Sequence, residues 1–120
     1  MKKTIITINE TGIVSVPTNV KMRDFEIAEL FGVFTQTIQS NIKAVIKMGV
    51  VIPDYTHDGT VVGNLIIPDY YGLDMIAALA FRIQSPQTEA FRRWILQKLT
   101  QNERNIINSQ FILSIDKYIN

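Results

Sequence analysis

The chain has 120 residues, nearly half of them apolar, and a formal net charge of +1. This length is close to the common size of one domain, so we expect a single domain over residues 1–120 with its own core. The absence of cysteine excludes disulfides, thiolate metal sites and cysteine nucleophiles. No apolar run is long enough for a membrane span or a signal peptide, which predicts a soluble cytoplasmic protein.

The first predicted elements are a β-hairpin and two helices. The stretch TIITINETGIVSVP alternates on both sides of NETG, which predicts a hairpin with Gly12 at a positive φ angle. From Asp24 the apolar spacing becomes helical as far as Gly32. A second helix is predicted over roughly Thr35 to Met48, with Gly49 as its C-terminal cap.

Residues 24–49 have the spacing of a helix-turn-helix motif. Ala28 is the small residue needed where the helices approach, and Gly32 suits the turn. The apolar residues expected to fill the angle between the helices are Ile27, Phe31, Val33 and Ile38. Asn41 stands where a further apolar residue is expected. Helix pairs that only pack have the same pattern, so DNA binding and plain packing both stay open.

A DNA-binding motif of this kind places its second helix in the major groove. The predicted DNA-binding residues are Thr35, Gln36, Gln39, Ser40, Lys43 and Lys47. Glutamine, serine and threonine can bond base edges, and the two lysines would contact phosphates. Two cations are few for a phosphate-dependent interaction, and the acidic residues Asp24, Glu26 and Glu29 on the preceding helix oppose it.

The rest of the chain predicts a second hairpin and three C-terminal helices. The HDG turn is predicted to join two apolar runs into a wing-like hairpin. GLDMIAALAFRI predicts a short buried helix, and Ser85 with Pro86 predicts the start of another. The inner face of that helix is predicted to carry Phe91, Trp94, Ile95 and Leu99. An amphipathic helix is predicted over residues 102–119, with Ile107, Phe111, Ile115 and Tyr118 on one face. The predicted fold class is α+β.

Two other clusters have a functional and a structural interpretation. His57 with Asp54 and Asp58 could hold a metal, but turn chemistry explains the same residues, so no metal site is predicted. The basic residues Arg82, Arg92, Arg93 and Lys98 form either a solvated helix face or a surface that contacts phosphates. No catalytic set or phosphate loop can be assembled, so we predict no enzymatic activity, no cofactor and no small-molecule substrate.

Two segments resemble a known family. DFEIAELFGVFTQTIQSNIKAVIKMG, followed by YYGLDMIAALAFRIQSPQTEAFRRWILQKL, resembles the RhuM-type virulence-protein family of bacteria. The second segment, residues 70–100, is also similar to the amino-terminal domain of Bro-type phage antirepressors. Its matching residues are Tyr70, Tyr71, Leu73, Asp74, Arg82, Ser85, Phe91, Arg92 and Trp94. The resemblance implies a DNA-associated protein of mobile elements or phage without established enzymatic activity. The chain departs from the family pattern at Phe34 and Thr35, where members usually carry Ser or Asp and then Arg.

The leading hypothesis is a small helix-turn-helix transcriptional regulator of a bacterial mobile element or phage. It would bind double-stranded DNA as a homodimer paired through its C-terminal helix. The alternative is a non-enzymatic, antirepressor-like protein-interaction module with a vestigial helix-turn-helix.

Overall fold

A computed structural model describes residues 3–51, 59–62 and 65–101. This part of the chain holds two antiparallel hairpins and four helical segments, which confirms the α+β class. The strands are β1 (Thr7–Ile8), β2 (Val14–Ser15), β3 (Gly59–Val62) and β4 (Leu65–Pro68). The helices are α1 (Asp24–Phe31), α2 (Thr35–Met48), α3 (Leu73–Ala80) and α4, helical over residues 86–101.

The N-terminal hairpin has the predicted turn but shorter strands than the alternation suggests. Thr7 pairs with Ser15 and Ile8 with Val14. Gly12 has a φ of 84°, and the Asn9 side-chain oxygen accepts the backbone N–H of Ile13 at 2.8 Å. An asparagine that satisfies turn amides in this way stabilises a hairpin that has few ladder bonds.

Helices α1 and α2 begin and end where the sequence predicts. Gly32 (φ 66°) ends α1 and Gly49 (φ 71°) ends α2, both in the left-handed conformation that glycine adopts without steric cost. At the start of α1, the Glu26 carboxylate accepts the backbone N–H of Arg23 at 2.8 Å. A three-residue turn therefore joins an eight-residue and a fourteen-residue helix.

The core lies where α1, α2, α3 and the start of α4 meet. Its fully or almost fully buried side chains are Ile27, Ala28, Phe31, Ile38, Ile42, Val45, Met75, Ile76, Leu79, Ala80 and Phe91. The rings of Phe31 and Phe91 lie 5.8 Å apart, and Trp94 stacks on Phe91 at 5.6 Å. The contact between Phe31 and Phe91 joins α4 to α1.

A pair of backbone hydrogen bonds joins the segment before α1 to the segment before α3. The N–H of Met22 donates to the carbonyl of Tyr71 at 3.0 Å, and the N–H of Tyr71 donates to the carbonyl of Met22 at 2.8 Å. Met22 is fully buried, and its sulfur accepts the N–H of Ile6 at 3.4 Å. The N-terminal segment is thus held against the helical core.

The prediction for the second hairpin was wrong in its turn position. The strands that pair are β3 and β4, with Val62 opposite Leu65 and Gly59 opposite Pro68. HDG therefore does not join β3 to β4, and its Gly59 is the first residue of β3. Only Gly63 and Asn64 separate the paired strands in sequence, and a Gly-Asn pair is a stronger signal for a two-residue hairpin loop. Residues 52–58, with the candidate metal ligands Asp54, His57 and Asp58, lie outside the described residues.

Helix α4 begins as predicted, but its inner face is shorter. The Ser85 hydroxyl accepts the N–H of Thr88 at 3.0 Å, which caps the helix before Pro86. Phe91 is buried and Ile95 half-buried, whereas Leu99 is 59% exposed, so its prediction as an inward-facing residue was wrong. All residues from 96 to 101 are exposed, so this end of α4 does not pack on the core. The predicted helix over residues 102–119 lies outside the described part of the chain.

The two cap glycines give a first prediction. Gly32→Ala and Gly49→Ala should each lower the free energy of unfolding by about 1–2 kcal/mol, since both place a Cβ in the left-handed region. A Cβ at Gly32 would also lie 2.8 Å from the amide nitrogen of Gln87, whereas a Cβ at Gly49 would meet nothing within 4 Å. The Gln87 amide is at the end of a flexible side chain and can move. We therefore expect Gly32→Ala to be only slightly less stable than Gly49→Ala in urea denaturation. A far larger loss, restored by Gln87→Ala, would show that this amide cannot move.

Candidate nucleic-acid interface

The solvent-facing side of α2 carries most of the predicted DNA-binding residues. Ile38, Ile42 and Val45 turn one side of this helix into the core. The opposite side exposes Gln36, Gln39, Ser40 and Lys47, while Thr35 and Lys43 are half-buried. The sequence thus places a polar, weakly basic strip on a helix that is fixed by its buried side.

Gln39 and Ser40 are partly engaged within the chain. The Gln39 amide donates to the Asp24 carboxylate at 2.9 Å, which ties α2 to the start of α1. The other carboxylate oxygen of Asp24 accepts the N–H of Phe25 at 2.7 Å. The Ser40 hydroxyl donates to the carbonyl of Thr37 at 3.2 Å. A base edge would have to compete with the Asp24 contact for Gln39, so Gln36 is the glutamine better placed to read a base.

Arg82 extends the basic character of α2 along one flank. Its Nε donates to the Asn41 side-chain oxygen at 3.1 Å, and its Nη1 approaches the Met48 sulfur at 3.5 Å. Asn41 also donates to the carbonyl of Thr37 at 2.8 Å. Asn41, which stands where an apolar residue was expected, therefore holds Arg82 beside α2. The spacing of residues in the sequence does not indicate this pair.

Arg92, a predicted phosphate contact, bonds instead to the end of α3. Its guanidinium donates to the carbonyls of Ala80 (2.7 Å) and Ile83 (3.0 Å) and to Thr88 Oγ1 (3.3 Å). Helix α3 has no basic residue in its own last turn, so Arg92 supplies the cation that the carbonyl end of a helix favours. Its donors are largely used for this structural role.

Arg93 and Lys98 lie on the exposed side of α4. Arg93 forms a 2.9 Å ion pair with Glu89 in which both side chains are more than half exposed. The Lys98 ammonium lies 6.0 Å from the centre of the Trp94 ring. Such surface contacts contribute little stability, and both cations remain accessible to solvent.

A second group of cations lies at the start of α1 and was missed by the sequence analysis. The Lys21 ammonium and the Arg23 guanidinium lie 4.4 and 4.6 Å from the ring centre of Tyr70. Arg23 also donates to the Tyr70 hydroxyl at 2.5 Å. The two residues are far from Tyr70 in sequence, so only the Met22–Tyr71 backbone bridge brings them together.

Arg23 and residues of α2 line a common groove of about 520 Å³. Its lining residues are Arg23, Asp24, Phe25, Gln39, Ile42, Lys43, Ile67, Pro68, Asp69 and Tyr71. Burial raises the pKa of the Tyr71 hydroxyl well above its usual range, and the carboxylates of Asp24 and Asp69 act in the same direction. The hydroxyl therefore keeps its proton in alkaline solution where an ordinary tyrosine ionises.

Comparison of the chain with protein-family models, curated proteins and solved structures gives no significant match. The resemblance to the RhuM-type family stays a prediction. None of the helices in the described part of the chain is both long and apolar enough to cross a membrane.

The role of Arg92 can be tested by stability. Arg92→Ala should lower the free energy of unfolding by about 2–3 kcal/mol, because it removes charge-assisted bonds to the carbonyls of two buried residues. Arg93→Ala is the matched control on the same helix and should cost at most about 0.5 kcal/mol. Equal losses in urea denaturation would contradict the capping role.

Proposed function

We propose that the chain is a DNA-binding transcriptional regulator of a bacterial mobile element or phage, acting in the cytoplasm. In this proposal α1, its turn and α2 form a helix-turn-helix, and the β3–β4 hairpin acts as a wing. The observation that carries the proposal is the exposed polar strip of α2, which begins directly after the turn at Gly32. The likeness to RhuM-type proteins and Bro-type antirepressors supports it.

The packing of α1 and α2 supports a motif of this kind. Ala28, Phe31 and Ile38 are buried between the helices, and Val33 packs against them from the turn. Phe34 offers no side-chain acceptor to the first N–H groups of α2, of which the N–H of Thr37 donates to the Phe34 carbonyl at 3.0 Å. Free N–H groups at a helix N-terminus bind phosphate well, and a helix in the major groove presents this end to the DNA.

The distribution of charge supports modest affinity. Lys43 and Lys47 lie on α2 itself, and Arg82 is held beside it through Asn41. Asp24 and Asp69 lie at the groove on its other flank. We therefore expect few phosphate contacts and a shallow dependence of affinity on salt.

Base reading can be tested by selection from a library of random-sequence duplexes. The wild-type chain should enrich one motif, and Gln36→Ala should weaken binding to it by about 1–3 kcal/mol while relaxing the preference at one base pair. Gln97→Ala, an exposed glutamine on α4, is the control and should leave the motif unchanged. Failure to retain any duplex at low salt would overturn the proposal.

Phosphate contact can be tested on the selected duplex. In Lys43→Ala the slope of log affinity against log salt should fall by about one, since one counterion fewer is released. Lys3→Ala, an exposed lysine before β1, should keep the wild-type slope. An unchanged slope in the Lys43 variant would remove this residue from the interface.

The protein-interaction alternative is favoured by one observation. Phe34, directly before α2, is 83% exposed, and an apolar ring of this size at the start of a reading helix suits a protein partner. Phe34→Ser should abolish partner capture from nuclease-treated lysate if this alternative holds. If Phe34→Ser still captures the same partners and the wild-type chain selects a duplex, the protein-interaction alternative is excluded.

We also propose a homodimer formed through residues 102–119. The proposal rests on the sequence pattern, in which Phe111 and Ile115 share an apolar face. Phe111→Asp with Ile115→Asp should convert a dimer to a monomer in sedimentation analysis. Ser109→Asp, on the polar side of the pattern, is the control. A wild-type chain that sediments as a monomer would contradict the proposal.

A further inference from the structure

The groove between α2 and β4 is lined by one lysine, Lys43, and by the carboxylates of Asp24 and Asp69. Lys43 lines the groove and is half-buried. Within the described residues, it forms no hydrogen bond and no ion pair. The charge of a half-buried lysine is screened less by water than that of a fully exposed one, so it gains more from an opposite charge.

The wall beside Lys43 is apolar. Ile67 and Pro68 of β4 line the groove, together with Ile42, which neighbours Lys43 on α2 and is 1% exposed. Phe25 lies at the rim and is about half exposed. The volume of about 520 Å³ is within the range of sites for small organic molecules, which combine apolar walls with a few polar groups.

The other charges of the groove define what can enter. Both oxygens of Asp24 already accept protein N–H donors, from Phe25 and Gln39. Arg23 donates to the Tyr70 hydroxyl. The Asp24 and Asp69 carboxylates would repel a polyanionic backbone that entered the groove. A single negative charge on an apolar body matches the groove best, since it pairs with Lys43 and limits this repulsion.

We infer that this groove binds a small organic carboxylate with an apolar body, held by the Lys43 ammonium and by the Ile67 and Phe25 side chains. The ligand would be an effector and not a substrate. If the proposed function holds, Lys43 also contacts a phosphate, so the carboxylate and DNA compete for one ammonium. The binding site itself does not depend on DNA binding.

The test uses 3-phenylpropanoate and its neutral amide, 3-phenylpropanamide, as probes on the DNA-free protein. In ¹H–¹⁵N spectra the acid should produce saturable shifts at Gln39, Lys43 and Ile67. It should bind at least about tenfold more tightly than the amide, the factor expected from one charge-assisted contact. Lys43→Gln should abolish this preference, whereas Lys47→Gln, one turn further along α2 and outside the groove, should retain it.

Three results would overturn the inference: no saturable shift with the acid, equal binding of acid and amide, or an unchanged preference in Lys43→Gln. The outcome is separable from that of the DNA proposal. A chain that binds the acid but selects no duplex supports the groove and refutes the regulator. A chain that selects a duplex but does not bind the acid supports the regulator and refutes the groove. Where both hold, saturating acid should weaken duplex binding.

Discussion

The backbone bridge between Met22 and Tyr71 is the contact on which the arrangement of the candidate site depends. Met22 is fully buried two residues before α1, and Tyr71 is buried two residues before α3. Their reciprocal N–H···O bonds therefore set where both helices begin. They also bring Lys21 and Arg23 onto Tyr70 and place Asp69 across the groove from α2. Because buried backbone groups must find partners, loss of this bridge would leave donors and acceptors unpaired between the segments that precede α1 and α3.

The basic residues divide into those that hold the fold and those that remain accessible. Arg92 is bonded to carbonyls at the end of α3, and Arg82 is held against α2 through Asn41. Both look like solvated cations in the sequence, where no acceptor is close by. Within the described residues, the exposed cations include several lysines, Arg23, Arg82 itself and Arg93, whose ion pair there is a surface pair with Glu89. A chain with a formal net charge of +1 therefore depends on local placement for any attraction to an anion.

The helices of the site were predictable from sequence, and the contacts between distant segments were not. Gly32 and Gly49 fixed the ends of α1 and α2 because each stands at a positive φ that other residues adopt at a cost. The buried sides of both helices followed from apolar spacing. The Ala80 carbonyl that accepts from Arg92 lies 12 residues away, and the Asn41 partner of Arg82 lies 41 residues away, beyond any local pattern. The groove likewise depends on β4. The sequence prediction placed the hairpin turn at HDG instead of at Gly63 and Asn64, so it did not pair β4 with β3.

Lys43 connects the groove to the exposed strip of α2, and this position limits the regulation that a ligand can exert. Its ammonium can pair with a groove carboxylate or with a phosphate on the outer side, but not fully with both. Coupling of this kind is reciprocal: DNA would lower the affinity for the carboxylate by the same factor by which the carboxylate lowers the affinity for DNA. Since one phosphate contact is involved, the coupling amounts to about 1 kcal/mol, or roughly a fivefold change in affinity. A larger effect would require movement of α2, which the Gln39–Asp24 bond opposes at the rim of the groove. The groove therefore fits modest adjustment of DNA affinity better than an on–off switch.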